Sequence, residues 1–555
     1  MTNNQNTLSV AYFSMEIGLQ GDMKTYCGGL GILAGDTLKS AADMGINIVG
    51  VSILYKKGWF KQILDTKIGQ IETGDDWDFA NKLKLRPERF AMEIKNTQVT
   101  VQIWEYVIKG ITDHSNPVYF LDTDLPENRP EDRLLSETLY STDKDIWLKQ
   151  EILLGVGGFL ALQTLGYKDS FTTYHLNESH GVSLALALTE HYKNLKEVKS
   201  RLCFTTHTPL KGAHQVLDKK TIQEYLPTIY FNHIPHELWE SDSINFTTLA
   251  IYFSKFTNGV AKRHQEVTQE MYPEYKIDYI TNGMHVNTWT NPYFKELFDK
   301  YIPNWQISPS NLRLAGQIPS SEIQTAHEKS KIELIDLTNK YSTVTFDPKV
   351  FTIGFARRAV PYKRANFIFT EINKLRKIAE KYGGLQIIFA GKTGPADDEG
   401  KRNIVQILEI AKSSDEILKV VYIPDYNIEN AKKIVSGVDI WLNNPLPPLE
   451  ASGTSGMKAS LNGIPNFSIL DGWWPEGCVE NETGWAIGQN LCEGDQCRLI
   501  EINDLYDKLE NVILPTFYKN TEVWQNIQKK CISLNGSYFT THRMIMDYIT
   551  KGYVN

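Results

Sequence analysis

The feature that most limits the fold is a series of wholly apolar segments alternating with helix-like ones through the second half of the chain. Residues 350–356 (VFTIGFA), 385–390 (LQIIFA), 418–423 (LKVVYI) and 438–442 (VDIWL) read as strands. Residues 365–382, ending at Gly383-Gly384, and residues 403–412 and 427–436 read as helices between them. Strands that are apolar along their whole length are buried on both faces, which a parallel sheet covered by helices provides. The pattern predicts a doubly wound, Rossmann-like domain of about 180 residues. The first half shows similar pieces with longer insertions. Residues 9–14, 48–54, 171–175 and 202–206 read as strands, a Gly-rich turn follows the first, and residues 182–191 read as a helix. Residues 308–341 are polar and helical, and read as a connection. The expected fold class is α/β, with two Rossmann-like doubly wound lobes facing a central cleft. The expected division is residues 1–340, a lobe with insertions and the connecting helix, and residues 341–555, a lobe followed by C-terminal helices. Ligands of such sheets bind at the carboxyl ends of the strands.

Composition removes several classes of function. With 58 Lys and Arg against 66 Asp and Glu in 555 residues, the net charge of −8 does not suit a general nucleic-acid binder. The longest apolar run, residues 152–162, is well short of the ~20 residues a bilayer needs. The start, MTNNQN, carries no signal-peptide pattern. Six cysteines, with only Cys492 and Cys497 close together, form neither a disulfide framework nor a metal motif. The expectation is a cytoplasmic chain with reduced thiols and no metal site.

Four groups of loops carry chemistry. Residues 26–31 (YCGGLG) place three glycines in four positions, which suits a tight turn and also the approach of backbone N–H groups to a ligand. Residues 356–364 (ARRAVPYKR) hold four cations directly after a strand, where Arg forks and a Lys point charge suit phosphate oxygens. Residues 445–458 (PLPPLEASGTSGMK) contain a small polar run ahead of a helix, with Lys458 in its first turn. A lysine beside other cations has a lowered pKa and can form a Schiff base. Residues 175–180 (HLNESH), 205–208 (TTHT) and 281–285 (TNGMH) follow strands and offer the amide, imidazole and carboxylate groups that sugar hydroxyls need.

These loops resemble the α-glucan phosphorylases of glycogen, starch and maltodextrin. The anchors are AYFSMEIGL at 11–19, GGLGILAGD at 28–36, FTTHTP at 204–209, TNGMHVNTW at 281–289, GFARRAVPYKR at 354–364, EASGTSGMK at 450–458 and LDGWW at 470–474. The resemblance implies a two-lobed GT-B fold and a pyridoxal 5′-phosphate cofactor held as a Schiff base. It implies reversible cleavage of the terminal α-1,4-linked glucose of a glucan by orthophosphate, releasing α-D-glucose 1-phosphate. By motif match, Lys458 would be the Schiff-base lysine. Thr454, Ser455, Lys363 and Arg357 would hold the cofactor phosphate, with Tyr426 near the ring. Arg358 would clamp the substrate phosphate beside Gly28 and the amide of Gly29. Glu450, Ala451, Ser452 and Gly453 would contact glucose hydroxyls, as would His207, Asn282 and Tyr362, with His180 on the acceptor side. The catalytic set so implied is Lys458, Arg358, Lys363 and His207. A homodimer is consistent with the family.

The physical chemistry agrees with this assignment. Two phosphates in contact repel and need fixed cations and aligned amides. A phosphate whose second pKa is near ~6 can exchange protons at neutral pH and stabilise an oxocarbenium-like transition state, so no carboxylate pair is required. Glu450 is then a sugar binder. The chain resembles the short bacterial branch, and no phosphorylation or nucleotide switch of the long forms is expected. Three departures stand near the chemistry: Leu446-Pro447 where short relatives carry two arginines, Trp147 where they tend to carry Arg, and Gly394 where they have His. All three remove polar or cationic groups, and altered acceptor preference is expected before loss of catalysis. Two other readings are a non-catalytic glucan-binding paralogue, which these departures leave open and Lys458, Arg358 and Lys363 argue against, and a nucleotide-sugar glucosyltransferase, which needs no lysine at 458.

Overall fold

A computed structural model describes residues 8–489 and 494–554. The chain divides into two compact units. The first comprises Met1–Phe60, Gly74–Thr281 and Thr541–Asn555, and the second Lys61–Thr73 and Asn282–Thr540. Both are mixed α/β structures built on parallel sheets.

The sheet of the second unit has six strands, all parallel. In spatial order they are Leu418–Ile423, Leu385–Ala390, Thr352–Ala356, Ile440–Asn443, Asn466–Ile469 and Gly484–Ile487. Within this unit that is the order 3-2-1-4-5-6, which reverses between Thr352–Ala356 and Ile440–Asn443. Two of these strands start and stop where the apolar runs do, at 385–390 and 418–423. Their neighbours Ile353, Ile387, Val420 and Ile440 share one buried core.

The sheet of the first unit has nine strands. Asp278–Tyr279, Phe256–Gly259, Leu202–Thr205, Thr173–Asn177, Ser9–Ser14, Asn47–Ile53 and Ser115–Asp122 run parallel. Thr97–Lys109 and Lys84–Ile94 extend the sheet antiparallel, and sequence reading missed this part. The order reverses between Ser9–Ser14 and Thr173–Asn177, and reversals of this kind are where open α/β sheets bind ligands.

Several boundaries move. The unit boundary lies at 281/282 and not at 340/341, and residues 541–554 join the first unit. The reason is long-range packing. His327 and Lys331 of the helix Ser320–Thr338 bond Asp439, at the start of a strand of the second unit. Met544, Ile545, Tyr548 and Tyr553 bury themselves against Val10 and Tyr12. The helix expected from 365 begins at Ile372. Arg364 is left-handed, with φ 51°, and its guanidinium bonds the carbonyls of Asn444 and Pro445, so the chain there follows a loop. The helix expected from 403 begins at Asp398, because the Asp397 side chain caps it by accepting the Gly400 N–H at 2.8 Å.

No helix among the described residues is long and apolar enough to cross a membrane. Cys203, Cys478 and Cys531 are free thiols. Cys497 is disulfide-bonded, a correction to the expectation of reduced thiols throughout; Cys492 lies outside the described residues.

Candidate functional site

In the second unit the basic loop and the Lys458 loop meet at the sheet's reversal point. Arg357 follows the strand Thr352–Ala356, and one of its guanidinium nitrogens donates to Oδ1 of Asn443, at the end of the adjacent strand. Another donates to Oε2 of Glu450, which also receives Nζ of Lys363 at 2.6 Å. All three charged groups are buried. Burial acts to raise the Glu450 pKa, but Arg357 and Lys363 outweigh it and hold the carboxyl at about 2. Lys363 is pushed down, first by burial and then by Arg357, against the pull of Glu450. Glu450 therefore serves as the counter-ion of the cations, a role that its assignment to sugar hydroxyls did not include.

A second turn fixes this loop. Asp471 accepts the Glu450 N–H at 2.9 Å through Oδ2 and the Gly472 N–H at 2.9 Å through Oδ1. The Trp473 N–H donates to the Ser452 carbonyl at 2.9 Å. A Cβ on Gly472 would stand 2.4 Å from that carbonyl oxygen, so only glycine permits the approach. Burial and the charge of Glu450 raise Asp471 to about 7, against the pull of the two N–H groups and Lys363. Asp471 stands in the LDGWW anchor, which gave no hint of this contact.

Gly453, at φ 85°, turns the chain into the helix Ser455–Leu461. Lys458 is buried there, its Nζ 4.0 Å from the centre of the Trp289 ring. The Ser452 hydroxyl is buried without a hydrogen-bond partner among the described residues. Ser455 accepts the Trp441 indole N–H at 3.2 Å, Ala451 and Thr454 are half-buried, and Asn282 is buried. Tyr426 is half-buried, and Arg357 opposes the effect of burial on its hydroxyl. The Tyr362 ring lies 4.5 Å from Lys363 Nζ, and Arg358 is exposed.

The donor set fits a phosphate-bearing cofactor. Arg357 and Lys363 share the strongly ionised carboxylate of Glu450, on the loop that leads to Lys458. Lys363 uses one of its three donors on Glu450, and Arg357 two of its five on Glu450 and Asn443. The orphaned Ser452 hydroxyl adds a further group on the same loop.

In the first unit the glycine-rich run holds an internal carboxylate. Oε2 of Glu16 accepts the N–H groups of Cys27 at 2.6 Å and Gly28 at 3.0 Å, and Oε1 accepts the Tyr140 hydroxyl at 3.1 Å. A Cβ on Gly31 would stand 2.6 Å from that Oε2. The Gly28 amide is thus committed within the protein, whereas Gly29 is exposed at the start of the helix Gly29–Asp43. Glu16 was missed because a glycine run announces converging amides without naming what they converge on.

At the reversal point of this sheet, His207 bonds Oδ1 of Asn177 through Nε2 at 2.7 Å. Burial, opposed by Glu178, holds His207 at about 4. Glu178 has φ 72° and ψ 168°, a conformation that costs a residue with a Cβ about 1–3 kcal/mol. His180 lies near Tyr140 and Trp147, at ring-centre distances of 5.8 and 6.4 Å. Trp147 donates to the buried Glu151 at 3.0 Å, and burial raises that carboxyl to about 8. Leu446 and Pro447 line an open groove of about 970 Å³ in the second unit, and Gly394 has room beside it for a side chain.

The family model described as carbohydrate phosphorylase matches residues 236–484. The maltodextrin phosphorylase of Thermococcus litoralis is 34% identical over 98% of this chain and 70% of its own length. The glycogen phosphorylase of Aquifex aeolicus is 35% identical over 98% of this chain and 86% of its own. An uncharacterised protein of Methanocaldococcus jannaschii is 30% identical over 98% and 99%. On these similarities, spread over nearly its whole length, the chain belongs to the carbohydrate phosphorylase family.

Proposed function

We propose that this chain catalyses the reversible phosphorolysis of the terminal α-1,4-linked glucose of a glucan, releasing α-D-glucose 1-phosphate. The observation that carries the reading is the buried Arg357–Glu450–Lys363 cluster, whose Glu450 stands on the loop leading to Lys458, in a chain of this family. In this reading the two sheets are the lobes of a GT-B fold. Pyridoxal 5′-phosphate would be held by Lys458, Arg357, Lys363, Thr454 and Ser455, with Tyr426 near its ring. Its phosphate is the group that supplies general acid–base chemistry when bound.

The residues of the chain bind and orient. Arg357 and Lys363 neutralise anionic oxygens, and their shared carboxylate keeps them in place between turnovers. Arg358, an exposed residue, is suited to clamp an orthophosphate arriving from solvent. Asn282, Tyr362, Ala451, Ser452, Gly453 and His207 would contact glucose hydroxyls, and His180 the acceptor sugar. Asp471 holds the Glu450 end of this loop.

The test is an absorbance spectrum after incubation with pyridoxal 5′-phosphate, paired with glucose 1-phosphate release from a maltodextrin and orthophosphate. The expected result is a near-ultraviolet or violet band and turnover, both lost in Lys458→Ala. A chain that binds glucan with neither band nor turnover is the binding paralogue, and the proposal fails.

A further inference from the structure

The strand Thr173–Asn177 and the residue after it grip one histidine from two sides. Asn177 Oδ1 bonds the His207 ring at Nε2, 2.7 Å away. Glu178 Oε2 accepts the backbone N–H of His207 at 2.8 Å and the Thr208 hydroxyl at 3.1 Å, and its Oε1 accepts the Ser179 N–H at 3.0 Å. Successive side chains of an extended strand point to opposite faces. Two neighbours on such a backbone do not reach the same residue. Glu178 does so because its φ of 72° breaks the alternation, just after its own N–H has bonded the Thr205 carbonyl at 2.9 Å.

The network also fixes the ring's protonation. Ser14 donates its one hydroxyl proton to the Glu16 carbonyl at 2.7 Å. It therefore accepts from Asn177 Nδ2, at 3.0 Å, which leaves Asn177 Oδ1 as an acceptor facing the ring. His207 then carries its proton on Nε2 and keeps Nδ1 as a bare acceptor. Glu178 has no lysine or arginine partner among the described residues; the titratable groups that face it are His207, His180, His214, His264 and Tyr272.

We propose that Glu178 is a positioning residue, whose irregular backbone exists to hold the main chain of His207 and Thr208 while Asn177 holds the ring, so that Nδ1 of His207 meets a sugar hydroxyl in one orientation. The inference rests on the phosphorylase reading, which makes His207 a sugar contact.

Glu178→Gly removes the grip and tolerates the left-handed backbone, so the variant folds without new strain. Glucose 1-phosphate release from maltoheptaose and orthophosphate is measured for the wild type, Glu178→Gly, His207→Ala and the double variant. The expected result is a loss of about tenfold to a hundredfold in kcat/KM for Glu178→Gly, carried by kcat. The double variant should be no slower than His207→Ala alone. The same factor lost in both backgrounds would show that Glu178 acts independently of His207 and overturn the proposal. In ¹⁵N-histidine-labelled protein the His207 signal, assigned by its loss in His207→Ala, should report the Nε2–H tautomer alone, and both tautomers in Glu178→Gly. Identical tautomer patterns in the two proteins would also overturn it. A wild type that releases no glucose 1-phosphate sinks the functional reading, and the tautomer comparison still decides the role of Glu178.

Discussion

Removing the charge of Glu450 should destabilise the second unit in a way that an added anion repairs. Glu450→Gln keeps the shape but leaves Arg357 and Lys363 buried without their counter-charge. The carboxyl sits at about 2 against an ordinary 4.5, and ~2.5 units at 1.36 kcal/mol each give about 3 kcal/mol. Breaking a buried pair by removing one partner costs about 3–5 kcal/mol, so the two routes agree. The sign is that of a depressed carboxylate: the stabilisation is present above pH 4.5 and is lost as pH falls toward about 2. The assay is urea unfolding at pH 7 followed by tryptophan emission, with and without orthophosphate. The variant should lose about 3 kcal/mol in buffer. Phosphate at a hundred times its dissociation constant should return roughly 2.7 kcal/mol. A variant within about 1 kcal/mol of the wild type, stabilised no more than the wild type by phosphate, would refute the counter-ion role.

Three other perturbations test neighbouring parts. Asp471, raised to about 7, holds a proton that the unfolded chain releases above 3.8, so the Asp471 contribution alone, opposite in sign to that of the buried histidines, falls as pH rises from 4 to 7, by on the order of 4 kcal/mol. Asp471→Asn should therefore gain on the wild type at pH 8 and not at pH 4; urea midpoints in the reverse order would dismiss the shift. Burial holds His175 at about 3 and His207 and His264 at about 4, each from 6.5. The unfolded chain takes up those three protons first, so between pH 6.5 and 4 stability should fall by up to ~4 kcal/mol per pH unit, and a flat profile there would contradict it. Gly31→Ala places a Cβ 2.6 Å from Glu16 Oε2 and 2.8 Å from Tyr26 Cβ, and should cost about 1–3 kcal/mol in thermal or urea unfolding.

The sheet of the second unit was legible because its strands are apolar on both faces, so residues 385–390 and 418–423 stand out from polar surroundings. Arg357 and Lys363 stood out because their basic loop follows a strand end, whereas Glu450 was assigned to glucose hydroxyls by the resemblance alone. What the sequence hid was mostly long-range. Nothing local says that residues 541–554 pack against Val10 and Tyr12, or that Asp471 bonds a backbone N–H twenty-one residues earlier. The antiparallel strands 84–94 and 97–109 mix exposed and half-buried residues with buried ones and carry no continuous apolar run.

The least legible fact is the most instructive. Part of each of two loops picked out for anion binding is already held by a carboxylate of the same chain: the amides of Cys27 and Gly28 by Glu16, and Arg357 and Lys363 by Glu450. Buried donors and cations are costly unless satisfied, so a chain that gathers them must supply a partner in the same fold. The internal carboxylate then sets what a ligand has to do. A monoanion offers the Arg357–Lys363 pair no more charge than Glu450 already does. A phosphate dianion offers more, and can share the pair while Glu450 stays, because Lys363 has donors to spare. On the reading proposed above, a preference for dianions would follow from the counter-ion's single charge, which could not be read from a loop of cations alone.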